Sequence, residues 1–419
     1  MKHFGILLLM LCTCVVLTPL PLAAQHKLSH YTVIDLGTLT GTQSEADGIS
    51  DSGWVEGWAS LSGDVYGHAV LWRNGAMTDL GTLGGQDSWG LYRPNIWGDA
   101  VGEAETSSPD PLNEDWCGAD EICLPFLWRS DLQKMIALPT LGGNNGWATS
   151  VNDFRQVAGT AETTATDPTC PTNLLFEPVI WQNGWVKQLP VFPGDPDGRV
   201  EAINDWGQGA GFSSNCYYAL HALLWDNGKA INLGGLGGTI HQHALGINNL
   251  TQVVGYSGLT GNTVFHAFLW QNGKMTDLGT VSGDALSIAY GVNLEGQVVG
   301  WSSDACECQI RAFLWQNGVM TDLNTLIPAN SPVYLNYAFG INDEGQIVGG
   351  GTTTTGEYHG YLATPSYGGA EGESATMSAS TERPKVNVSE SVRKLLQRRS
   401  RVDAYTPSAQ CKEGRITPR

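Results

Sequence analysis

From residue 287 the chain reads SIAYGVNLEGQVVGWSSDACECQIRAFLWQNGVMTDLNTL, and its apolar positions fall into four short runs. The runs are IAYGV, QVVGWS, AFLW and VMTDLNTL, each too short for a helix and rich in strand-forming residues. NLEG joins the first two: Asn opens such a turn by bonding its own backbone, and Gly accepts the positive φ that closes it. QNG joins the last two, and an Asn-Gly step is the strongest short hairpin signal. The pattern predicts a four-stranded antiparallel sheet, with strands a, b, c and d in chain order.

The unit recurs. HAVLWRNGAMTDLGT stands at 68–82, HAFLWQNGKMTDLGT at 266–280 and RAFLWQNGVMTDLNT at 311–325. The a–b turns read SDSG, NIWG, NDFR, NDWG, NNLT, NLEG and NDEG, beginning at Ser50, Asn95, Asn152, Asn204, Asn248, Asn293 and Asn342. Strand c ends in Trp72, Trp128, Trp181, Trp225, Trp270 and Trp315, spaced 44 to 56 residues apart, and a seventh copy puts Ala363 in that place. This spacing is that of propeller repeats, ~40–50 residues per unit. Residues 31–39, YTVIDLGTL, read as a strand d with no a, b or c before it. Residues 359–365, HGYLATP, read as a strand c with no d after it. Two unpaired edges would be an aggregation hazard, and pairing them completes a seventh sheet. The expected fold is therefore all-β: a seven-bladed β-propeller of four-stranded antiparallel blades, closed by the N-terminal strand completing the last blade. The repeated Trp of strand c reads as packing between neighbouring sheets.

HAFLWQNG, MTDLGTLGG and GIN..GQVVG, as they stand here, resemble the HAF-family extracellular repeats of bacterial secreted proteins, over about residues 31–366. Units 2 and 3 depart, with LPFLW and EPVIW in place of HAFLW. The resemblance implies a repeat fold and export, and carries no activity with it.

Residues 1–24 read as a signal peptide: Lys2, the apolar run ILLLMLCTCVVL, then PLAA before Gln25. That run is short for a membrane span, and no later stretch would cross a bilayer. The expectation is a secreted protein, extracellular or periplasmic, monomeric and without a transmembrane segment. Residues 25–30 form a short leader, 31–366 the propeller, and 367–419 a disordered, basic C-terminal tail. Within the tail, SESVRKLLQRRS would make a short basic helix capped by Ser389, with Val392, Leu395 and Leu396 on one side.

Charge separates body from tail. Residues 25–366 hold 11 basic and 35 acidic residues, a net −24, whereas residues 383–419 hold 10 basic and 3 acidic, a net +7. An acidic body repels phosphates, which argues against nucleic acid as a partner.

The a–b and c–d turns are uniformly tight, while the b–c loops vary widely in length. Variable loops on a rigid frame are where binding usually sits, so the b–c/d–a loop face is the expected functional surface. It collects Trp89, Trp116, Trp147, Tyr217, Tyr218, Asp115 and Asp120, besides Asp87, Glu103, Glu105 and Asp110. Carboxylates beside flat rings suit a glycan or a protein ligand; the competing account is a solvated acidic rim. Cys117 with Cys123, and Cys170 with Cys216, are candidate disulfides, and export favours bridges over zinc. The four histidines opening strand c, His68, His221, His266 and His359, belong to different blades, so each is expected to hold a neighbouring loop by a hydrogen bond rather than share a metal. No cofactor and no metal site is expected. The function expected is a non-catalytic binding or scaffold module. The alternative is a polysaccharide-cleaving enzyme using Asp47 and Glu201, which occupy equivalent strand-a positions in blades 1 and 4.

Overall fold

The computed structural model describes residues 30–90, 93–112, 121–166, 174–215 and 219–366. Seven antiparallel sheets stand in a ring, six of them built from four consecutive runs of the repeat and the seventh from both ends of the propeller. Blade 1 comprises Ser44–Ile49, Val55–Ser60, Gly67–Arg73 and Ala76–Asp79, paired in that order. Blade 4 comprises Asp197–Ile203, Gly209–Ser214, Ala219–Asp226 and Lys229–Asn232, and the other blades follow the same plan. The helical content among the described residues is one 3₁₀ turn, Leu323–Thr325. The signal segment, the tail, Asp115, Trp116, Cys117, Asp120, Cys170, Cys216, Tyr217 and Tyr218 lie outside the described residues.

Blade 7 is made from both ends of the propeller. The strand His30–Asp35 pairs antiparallel with Tyr358–Ser366, in a register running from His30 opposite Ser366 to Asp35 opposite Tyr361. The pairing covers less of the N-terminal run than its apolar pattern suggests. Beyond Asp35 the chain swings toward blade 1, where Leu36 O accepts a bond from the Trp72 indole N–H at 3.0 Å.

The blade-to-blade contacts repeat that detail. The indole N–H of Trp181 donates to Pro139 O at 2.7 Å and that of Trp225 to Pro190 O at 2.7 Å, each reaching the segment that leaves the preceding blade. These rings are buried, so the strand-c Trp fills the gap between sheets while satisfying its one donor.

The N-x-x-x-Q spacing of the a–b turn also has a physical cause. Asn204 Oδ1 accepts the backbone N–H groups of Trp206 and Gln208, which shapes the turn. Its Nδ2 then donates to Gln208 Oε1 at 2.8 Å and to Asn248 O of the next blade at 3.1 Å. The inter-blade bond recurs from Asn95 to Asn152 O, Asn152 to Asn204 O, Asn248 to Asn293 O, Asn293 to Asn342 O and Asn342 to Ser50 O. In blade 1, where Ser50 is too short, Ser52 Oγ donates to Ile96 O at 2.7 Å instead. The amide belt thus runs round the whole ring.

Candidate functional site at the channel mouth

Strand a of each blade lines the centre, and a bulge aims its side chains. In five blades the a–b register skips one residue: Asp47, Thr149, Glu201, Leu245 and Tyr290. A bulge of this kind re-aims a side chain. The partner strand makes room with glycine: a Cβ on Gly211 would stand 2.0 Å from Arg199 O, and one on Gly300 would stand 1.9 Å from Ile288 O. This is why the repeat reads QVVG.

The bulged residues meet different fates. Asp47, Leu245 and Tyr290, with Phe339 of blade 7, line a central cavity that encloses about 740 Å³ including the solvent at its mouth. Glu201 is fully buried and faces its neighbours. Its Oε1 accepts from Arg199 Nε at 2.7 Å and lies 2.7 Å from His243 Nε2. Burial opposes ionisation of Glu201, but the Arg199 charge and the His243 bond outweigh it and hold its carboxyl below the ordinary range. Arg199 in turn lies over the Trp147 ring, 4.6 Å from its centroid, and beside Phe212 at 5.3 Å. The two candidate acids therefore differ: Asp47 borders the cavity, while Glu201 anchors an Arg–Glu–His cluster across blades 4 and 5.

The described part of the loop face is closely packed. Trp147 is buried beneath Arg199, and Trp89 stacks on Trp58 with centroids 4.8 Å apart. Its acids serve the frame. Asp87 Oδ1 accepts Gly67 N–H, Glu105 Oε2 accepts the N–H groups of Gln86 and Asp87, and Asp110 Oδ2 accepts Asn145 Nδ2. Asp47, Asp87, Glu103, Glu105 and Asp110 are all buried. Cys123 is buried too, and its candidate partner Cys117 is beyond the described residues.

The opposite face, where the cavity opens among the a–b turns, is different. The third residue of four successive turns is large and apolar: Trp97, Phe154, Trp206 and Leu250, each between 56% and 75% exposed. Trp97 and Trp206 lie over the next turn, their indole N–H groups donating to Asp153 O at 3.1 Å and Asn249 O at 2.9 Å. Of the 13 large apolar side chains exposed among the described residues, six belong to a–b or c–d turns and two more, Trp185 and Val319, open strand d beside them, so this face is the stickier one.

Inside this apolar arc runs an acidic ring at the second turn position. Asp153 Oδ1 accepts Ile96 N–H, Asp205 Oδ2 accepts Asn249 Nδ2 at 2.7 Å, and Asp51 Oδ1 accepts Asp343 N–H at 3.0 Å. Burial pushes the Asp153 carboxyl up, with Asp205 and Asp51 adding to the effect; burial, Asp51 and Glu295 do the same for Asp343. Arg93 reaches into this ring to pair with Asp51. Sequence reading treats these turns as frame alone, yet the signal is there: an apolar residue at the third position of a tight turn, four times in succession.

No family model matches the chain, and no curated protein sequence does. Among solved structures, the chain is similar to the β-propeller domain of the trilobed protease from Pyrococcus furiosus (12% identity, TM-score 0.44, covering 67% of this chain and 84% of that one). It is also similar to puromycin hydrolase (10%, TM-score 0.46, 78% and 54%) and to the Xanthomonas campestris gluconolactonase XC5397 (10%, TM-score 0.37, 80% and 90%). At these identities the likeness is one of fold alone. The chain is a seven-bladed β-propeller.

Proposed function

We propose that the protein is a non-catalytic binding or scaffold module that recognises a protein or a glycan. The observation that carries this reading is the exposed arc of Trp97, Phe154, Trp206 and Leu250 beside the acids of the channel mouth, on a ring stiffened by the amide belt. Flat rings next to carboxylates offer apolar contact and hydrogen-bond acceptors together. The variable b–c/d–a loops favour a second surface on the other face, although its described acids are engaged with backbone amides. For the polysaccharide-cleaving alternative, the burial of Glu201 between Arg199 and His243 weighs against Glu201 as a proton donor. Export of the protein, and its kinship with the HAF repeats, are part of the same proposal; the apolar leader and the repeated HAFLWQNG motif support them.

A glycan array and a panel of purified extracellular proteins, probed with the full chain, test the proposal. Binding that is lost in a Trp97→Ser/Phe154→Ser/Trp206→Ser variant supports it. Absence of any binding sinks it, and binding that survives the triple change but falls when the loop at 103–123 is replaced moves the surface to the other face.

A further inference from the structure

The apolar arc, on blades 2–5, and the acidic ring lie on the face of the propeller at which the described chain ends, in blade 7. Strand c of blade 7 runs toward the a–b turns, and Pro365 Cγ lies 3.3 Å from where a Cβ on Gly345 would stand. Gly345 belongs to the a–b turn of blade 7, so the chain leaves the propeller at Ser366 on the same face as the arc. From this point 53 residues follow, 367–419, of which residues 383–419 carry the net +7 charge.

The electrostatics of the mouth suit such a segment. Asp51, Asp153, Asp205, Glu295, Asp343 and Glu344 stand at the second and third turn positions. Arg93 pairs with Asp51, and Arg155 turns outward to Asp99 and Asp131, so a surplus of negative charge remains at the centre. The outermost strands are mixed in charge, carrying Lys134, Lys187, Lys229 and Lys274 beside Asp35, Asp79, Asp277 and Asp322, whereas the acids at the mouth face few cations.

We infer that the segment around residues 389–401 of this same chain docks on the channel mouth, its Val392, Leu395 and Leu396 covering the exposed arc and its basic residues facing the acidic ring. In VRKLLQRRSR, apolar residues and cations alternate closely enough to meet both features at once. Reach is sufficient. The 23 residues from 367 to 389 are Gly-, Ser- and Thr-rich at first, and a chain of that type spans roughly 26 Å, at about 5–6 Å per square root of residue number. Strand c of blade 7 lies two spacings, or ~10 Å, outside that blade's own strand a; the arc stands across the channel on blades 2–5, and 23 residues reach it because they span up to ~76 Å when extended. The inference rests on the arc being a recognition surface and names its resident occupant. An external ligand would have to displace that segment, which makes the tail a competitor built into the chain.

Two measurements on the full-length protein test it. The first is zero-length carbodiimide cross-linking at low protein concentration, in a mixture of isotope-labelled and unlabelled chains. Links from Lys394 to Asp153, Asp205, Asp343 or Glu344 within one chain are expected, weakening as salt rises. Links only between chains, or none to the mouth, overturn the inference. The second is hydroxyl-radical footprinting of the wild type against an Arg393→Glu/Lys394→Glu/Arg398→Glu/Arg399→Glu variant, whose changes lie outside the propeller. Oxidation of Trp97, Phe154 and Trp206 is expected to rise severalfold in the variant, and unchanged rates overturn the inference. The array measurement above is independent: if the arc binds an external ligand equally with and without the four charge reversals, the tail has no hold on the arc although the arc still recognises a ligand.

Discussion

His359 Nδ1 lies 2.9 and 2.8 Å from the two carboxylate oxygens of Asp35, a contact across 324 residues of chain. In blades 1 and 5 the same pair, His68 with Asp79 and His266 with Asp277, spans 11 residues. The pair that elsewhere ties strand c to strand d of one blade here ties the end of the propeller to its beginning. Asp35→Asn is expected to lower unfolding free energy by about 1 kcal/mol, the upper range for partly exposed ion pairs, as measured by urea denaturation.

The same pair gives a pH dependence. Burial opposes ionisation of Asp35, but the bonds from His359 and from Gly37 N–H prevail and hold it below the ordinary 3.8. Burial likewise opposes the His359 charge, and Asp35 overcomes it and raises the imidazole above 6.5. A depressed carboxyl stabilises the fold above its unfolded value and loses that stability as pH falls through its folded value. A raised imidazole stabilises below its unfolded value and loses it as pH rises through its folded value. The stability difference between wild type and His359→Ala should therefore be largest between about pH 4 and 6.5 and shrink on both sides, as melting curves across pH would reveal.

The buried cluster of blades 4 and 5 should be far less forgiving. Arg199→Ala removes the guanidinium that holds Glu201 ionised and the contact it makes on Trp147. Breaking a buried pair from one side costs ~3–5 kcal/mol, so this single change should unfold the protein at much lower urea. A loss under 1 kcal/mol, at about the level of an exposed pair, would mean the cluster is wetter than described.

Two tryptophans separate frame from surface. Trp225 is buried with its N–H bonded to Pro190 O, while Trp206 is 75% exposed. Trp225→Ala should cost ~3–5 kcal/mol, the range for emptying an aromatic core site. Trp206→Ser should leave stability within about 0.5 kcal/mol, and chemical denaturation of the two variants side by side measures the contrast.

The amide belt predicts a graded response as well. Asn248→Ala removes the donor to Asn293 O and the acceptor that shapes its own turn. A buried carbonyl left without its partner costs ~1–3 kcal/mol, and hydrogen exchange should quicken first in the turns of blades 5 and 6.

The ring and its closure are legible in the sequence because the signals are local and repeated: Asn at the turn, Asn-Gly at the hairpin, a lone d run at one end and a lone c run at the other. The pairing of the histidines is legible in part. They read as hydrogen-bond donors, and the partner stands in the same repeated phrase; where His gives way to Glu177, the opposing position becomes Gln188, and the two interact. The loop-face acids are not legible, because a carboxylate accepting backbone N–H groups, as Glu105 does, has the same letter as one facing water. Nor does the sequence distinguish Asp47 from Glu201: both fall on the bulge, and only Arg199 of the same strand and His243 of the next blade decide which one turns away from the cavity. The exposed Trp97 and Trp206 were visible as letters in the turns, but their exposure depends on blades standing side by side.

Hydrogen exchange of the backbone amides in His30–Asp35, followed by mass spectrometry on the full chain, tests the closed ring most directly. The account requires these amides to exchange as slowly as those of Tyr358–Ser366 and in step with them. Rapid exchange of residues 30–35 beside a protected 358–366 would leave the last blade one strand short and the circle open.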